Sequence, residues 1–139
     1  MFLVDSEKLD QSLLAIIEKK EELNALSTND PGYTIEENNL KRLEEDFLST
    51  FGSYLEEVIF NVHDEFCPDN DVMKPIAYIA SHYIARHDKK WEAPSHEGIP
   101  VQCDDYPELK ARLVLIPSPT RLVLQAENNT FREVVWKAV

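Results

Sequence analysis

The sequence predicts an α+β fold, with an N-terminal half of three helices packed on a C-terminal antiparallel β-meander of three to four strands. Three observations carry this expectation. Apolar residues recur at three-and-four spacing through the first part of the chain, the period changes to two after the loop "KKWEAPSHEGIP", and turn signals divide the remaining residues into short runs.

Residues 6–27 read as an amphipathic helix, with Leu9, Leu13, Ile16, Ile17 and Leu23 on one face and Glu18, Glu21 and Glu22 outside it. Asp5 or Ser6 can cap its start, and Pro31–Gly32 in "STNDPGY" ends it. The second helix, 35–66, opens at "TIEE", where Thr34 and Glu37 form the expected reciprocal cap. Its stripe runs Leu40, Leu43, Phe47, Phe51, Leu55, Val58, Val62 and Phe66. Gly52–Ser53 is the expected kink, because Gly–Ser pairs commonly bend long helices. A third helix is expected over 72–88, from the spacing of Ile76, Ile79, Ala80, Tyr83 and Ile84, with Pro75 in its opening turn.

Beyond the loop, Leu109, Ala111, Leu113 and Leu115 alternate with Lys110, Arg112, Val114 and Ile116, as in a strand. "PSPT" turns the chain into "RLVLQA", and Asn128–Asn129 turns it again into "FREVVWKA", since Asn tolerates the positive φ of tight hairpins. "VQC" (101–103) adds an edge strand. At 139 residues and 43% apolar content the chain is expected to form a single soluble domain. It holds no apolar run of membrane-spanning length, and "MFLV" meets Asp5 too soon for a signal segment. Two cysteines are too few for a disulfide framework, and with the absence of such signals they point to the cytoplasm.

Charge is the strongest compositional feature. The net charge is −12, and residues 1–71 carry eighteen acids against five bases while residues 72–139 carry eight against nine. Phosphate affinity comes from Lys and Arg, so direct nucleic-acid binding by the acidic half is disfavoured. An acidic face suits another protein with a basic surface, or it serves solubility alone. Glu44, Glu45, Glu56 and Glu57 are the candidate partner-binding acids. Each of the pairs 44–45 and 56–57 is adjacent in sequence, about 100° apart on a helix, and so cannot flank a substrate together. Trp91 and Tyr106 are the candidate aromatic members of a binding surface, although a tryptophan covering the core edge is the favoured reading of Trp91.

The densest group of reactive side chains is "HDEFCPDND", residues 63–71. His63 and Cys67 share a helix face at four-residue spacing, with Phe60 placed on that face too, and His82, His87, His96 or Cys103 would complete a metal site. No CxxC, HExxH or His-x-His pattern supports it, and each residue has a structural alternative. Cys67 serves as a small buried hydrophobe, His63 sits against the negative helix end, Pro68 stops the helix, and "DND" caps the next. The helix-end reading is favoured, and no cofactor is predicted. With glycine only at 32, 52 and 98, no phosphate-cradling loop is present, and neither cysteine lies in a nucleophile turn. The resulting expectation is a non-enzymatic protein–protein interaction module, of the same physical class as immunity proteins, antitoxins and secretion chaperones. The alternative is a small metal-binding protein or hydrolase built on His63, Cys67 and a further histidine.

Overall fold

The computed structural model describes residues 4–85, 91–103 and 106–138. They form helices α1 (Ser6–Ala25) and α2 (Tyr33–Phe66), a 3-10 turn (Pro75–Tyr78), and six strands. The strands are β1 (Ile84–Ala85), β2 (Trp91–Glu92), β3 (Ile99–Cys103), β4 (Tyr106–Ile116), β5 (Arg121–Ala126) and β6 (Arg132–Lys137). β3 to β6 make one antiparallel sheet in sequence order, and β1 and β2 pair separately. The fold is therefore α+β with a helical first part, as the change of period predicts.

α1 begins where Asp5 Oδ1 accepts from the amides of Glu7 and Lys8, relieving two of the donors a helix start leaves unpaired. Its buried face is Leu9, Leu13, Ile16 and Ile17, and it packs as a hairpin on α2. Lys19 Nζ clamps the hairpin, at 2.6 Å from Glu36 and 2.8 Å from Glu22. At the other end of α1, Asp10 accepts from the Ser118 amide (2.8 Å) and the Thr120 hydroxyl (2.8 Å), fixing the helix to the β4–β5 turn.

Two details of α2 differ from expectation. The Thr34–Glu37 cap does not form, because the helix starts at Tyr33 with Gly32 as its cap. The preceding turn takes over that role, with Asp30 Oδ1 accepting from Gly32 N and Asp30 O from Tyr33 N. The helix also runs unbroken through Gly52 for 34 residues, about 50 Å at ~1.5 Å per residue. Gly52 is buried, and an added Cβ would meet Leu48 at an ordinary 3.7 Å. Its small size relieves no clash, and no break follows from it.

The expected third helix over 72–88 is corrected. Of it, only a 3-10 turn at Pro75–Tyr78 is helical, followed by extended chain and β1; residues 86–88 lie outside the described residues. The apolar side chains of this segment do not share one face: Tyr78 is buried, Ile79 and Tyr83 meet the sheet edge at Leu115, and Ile84 is half exposed. Tyr78 is fully buried against α2, and Ile79 bridges Leu115 at the sheet edge beyond the end of β3. The Tyr83 hydroxyl donates to Leu115 O (2.6 Å) and accepts from Ala80 N (2.9 Å). Helical spacing here reflects three separate burials rather than one helix face.

The central strands of the sheet, β4 and β5, are buried on both sides. On its helix face, Leu113, Leu115, Leu122 and Leu124 join the main core with both helices. On the opposite face, Val114, Ile116 and Val123 pack with Ala80 and Ala93 under Tyr83 and Trp91. Residues 91–98 cross that face as a strap, held by side chains of three neighbouring strands. Arg112 donates to Gly98 O (3.0 Å), Arg121 to Trp91 O and Arg132 to Ala93 O (3.2 Å). Buried Gln125 donates to Pro94 O (2.8 Å) while accepting from Arg132 Nε (3.0 Å). Asn129 has φ 64° in the β5–β6 turn, as its sequence predicts.

Gly98, where the strap meets the sheet, has φ 102°, and a Cβ there would lie 2.6 Å from Leu113 O. Gly98→Ala is therefore expected to lower stability by about 2 kcal/mol or more, combining backbone strain with a clash against backbone. Gly52→Ala is expected to raise it by about 0.5–1 kcal/mol, because the helix is retained and space exists. Chemical denaturation of both variants checks the pair, and equal effects of one sign would refute this account of the two glycines.

Candidate functional site

The last turns of α2 bury Ile59, Val62 and His63, and the cap residue Cys67 is fully buried. His63 Nδ1 lies 3.2 Å from Asn70 O, and Nε2 lies 2.8 Å from the Tyr78 hydroxyl. A carbonyl only accepts, so Nδ1 carries the proton and Nε2 accepts from Tyr78. The Tyr78 oxygen in turn accepts from Met73 N at 3.0 Å. Both ring nitrogens are thus engaged in joining α2 to the segment after it. Desolvation holds the His63 imidazolium below its ordinary value, against a smaller opposing effect of the Asn70 carbonyl.

The sequence expectation gives Asn70 the cap of a following helix. It instead donates to Gln102 O (2.9 Å) and accepts from Gln102 N (3.3 Å), so one side chain pairs with the open edge of β3. This places the end of α2, Asn70 and β3 in one hydrogen-bonded unit. Nothing in the sequence singles out Asn70 for this role.

The other candidate metal ligands differ in their surroundings. His82 is exposed, His96 is exposed beside Glu97 (3.8 Å), and Cys103 is buried on β3. His87 lies outside the described residues. Among the described residues no group of three or more His, Cys, Asp or Glu side chains is placed to hold a metal ion.

Trp91 is half-buried, edge-on to Tyr83 with ring centroids 6.0 Å apart, and packed against the core. Its carbonyl accepts from Arg121. The side chain of Tyr106 lies outside the described residues. An open cleft of about 420 Å³ near the β3–β4 end is lined by Asn70, Pro100, Gln102, Glu108, Lys110 and Glu127. Its charges are mixed, and Glu127 is already paired with Arg112 at 2.7 Å.

The acidic candidates all lie on α2. Glu45, Glu56 and Glu57 are exposed, and Glu44 is half-buried. Residues 43–73 hold nine acids and no Lys or Arg. Among the described residues none of the ion pairs uses Glu44, Glu45, Glu56, Glu57, Asp64 or Glu65. Phe60 corrects the sequence expectation: it is 60% exposed, and Ile59 takes the place beside His63 on the buried face. Phe60 therefore stands among the acids, one turn after Glu56 and Glu57 and one turn before Asp64. No helix among the described residues is long and apolar enough to cross a membrane.

Two outcomes test the structural role of this helix end. Cys67→Ala is expected to lower stability by about 1–3 kcal/mol through lost buried volume. Stoichiometric zinc found by elemental analysis of protein purified without chelator, and lost on the substitution, would overturn this role. For His63, the folded state lowers proton affinity relative to the unfolded chain. Its contribution to stability is full above the ordinary histidine value of about 6.5 and falls as pH drops below it. The melting temperature should thus decline from about pH 7.5 to about pH 5.5, with a shallower slope in His63→Gln; equal slopes would contradict the assignment.

Compared with known proteins, the chain matches no family model, no curated protein and no solved structure, so its functional reading rests on its own residues.

Proposed function

We propose that this protein is a non-enzymatic recognition module that docks a protein with a basic surface on the outer face of α2. The observation that carries the reading is the charge of residues 43–73: nine acids with no lysine or arginine among them, on a surface where the described ion pairs leave Glu45, Glu56 and Glu57 to solvent. Like charges held this close raise the free energy of the isolated surface, and a cationic partner relieves that repulsion on docking. The reactive side chains of the same helix support the reading from the other side. His63 is committed to Asn70 and Tyr78, and Cys67 is enclosed.

The test starts from partners recovered by affinity capture and identified by mass. Association with the authentic partner should slow by about ten-fold or more between low and high salt, because salt screens charges beyond ~8 Å near physiological strength. Reversing Glu44, Glu45, Glu56 and Glu57 to Lys should produce a similar loss at low salt while shifting the melting temperature little, since exposed charges contribute little to stability. Association indifferent to both salt and charge reversal would leave the acidic face with a solubilising role only.

A further inference from the structure

We infer that Phe60 is the apolar anchor of this docking surface, and that the partner presents an apolar side chain flanked by two cationic groups. The inference rests on the acidic-face reading and adds where on that face recognition occurs.

The acids of α2 are not equivalent. Lys41 and Arg42 lie at helix-neighbour spacing from Glu45 and Asp46, where opposite charges offset one another. From Leu43 to Met73 no Lys or Arg follows, and among the described residues Glu56, Glu57, Asp64 and Glu65, which flank Phe60 along the helix, enter none of the ion pairs. The Phe60 ring is 60% exposed although Ile59 and Val62 on either side of it are buried. A large ring held in water at the centre of an acidic surface gains most from a contact that is apolar in the middle and cationic at the rim. More apolar surface lies at the same end of the helix. Val72 and Met73 are 41% and 46% exposed, and Met73 N is fixed to the Tyr78 hydroxyl that also holds His63, one turn beyond Phe60. Methionine adapts its shape to an incoming side chain at low cost.

The spacing sets the partner's geometry. Glu56–Glu57 and Asp64–Glu65 are eight residues apart, about 12 Å along the helix at ~1.5 Å per residue. A helical partner meets both acid pairs with Lys or Arg about two turns apart and an apolar residue between them. A basic amphipathic helix is the occupant that satisfies both requirements.

The probe is a synthetic amphipathic helix of ~18 residues, about five turns, with leucine on one face and lysine on the other, alongside a glutamate-for-lysine control. Amide chemical-shift mapping on the wild-type protein should centre on residues 53–67. Phe60→Ser should weaken binding by about ten-fold or more, as for truncation of an interface anchor, and the double reversal Glu57→Lys/Asp64→Lys should weaken it and flatten its salt dependence. A matched reversal on α1, Glu18→Lys/Glu21→Lys, should change affinity by less than about two-fold. The glutamate peptide should not bind.

Other outcomes separate the failures. Binding lost on α2 reversal but unchanged in Phe60→Ser refutes the anchor and leaves the acidic-face reading standing. Equal losses from the α1 and α2 reversals refute both, since only net charge is then sensed. Shifts centred elsewhere refute the site even where Phe60→Ser fails to fold. A dimer of the free protein that Phe60→Ser dissociates replaces the basic partner with a second copy of this chain.

Discussion

The rest of the structure depends on how the second face of the sheet is closed. Val114, Ile116 and Val123 point away from the helices, and a sheet face of that composition must be covered. The cover is a strap of irregular chain, and such a segment brings backbone carbonyls that need donors. Arg112, Arg121, Arg132 and Gln125 supply them from three adjacent strands. Hydrogen bonds from charged donors are each worth roughly 1.5–3 kcal/mol, and here they also fix the strap's position over the apolar side chains. A helix over the same residues would have used its carbonyls internally and left the arginines without acceptors. Gly98 obeys the same constraint, since only a residue without Cβ lets the strap close onto β4.

This is also the physical reason why some elements were legible in the sequence and others were not. The stripes of α1 and α2 were legible because each helix buries one continuous face, and β4 and β5 because period two survives in their front-facing leucines, while the Asn128–Asn129 turn marked the start of β6. The segment "IAYIASHYIA" has helical spacing by coincidence of three burials, which periodicity cannot distinguish from a single face. A signal for its true role was present in β4 itself. Val114 and Ile116 occupy the side of the strand that should be polar if solvated, so their apolarity required a second layer. The Thr34–Glu37 cap does not form for a local reason, because Asp30 already orders the preceding turn.

At the candidate site the charge was legible and the exposure of Phe60 was not. A count of acids finds the acidic half, and its location on α2 follows from the helix stripe. Three-residue spacing puts Phe60 on the face of His63 and so on the buried side, whereas Ile59 and Val62 take that burial instead. Near a helix end one residue of phase decides which neighbour is covered. His63 and Cys67 are both buried at the helix end, yet the partners of His63, Asn70 and Tyr78, come from parts of the chain that only the fold brings to it.

The strap and the acidic surface are linked through charge. Arg112 and Arg132 spend their positive charge on strap carbonyls and on Glu127 and Glu92 at 2.7 and 3.0 Å, and Arg121 is desolvated by burial. Cations engaged in this way contribute less to the outer field than lysines on open surface, whereas the acids around Phe60 face water directly. The field at the outer face of α2 is therefore more negative than an even spread of the net charge would give. Charge of this kind governs encounter and orientation more than final affinity. An acidic helix alone would then attract cations without discriminating among them. On the proposed reading the exposed Phe60 ring would supply a short-range requirement of shape, held in place by a helix whose end is tied down through His63 and Asn70.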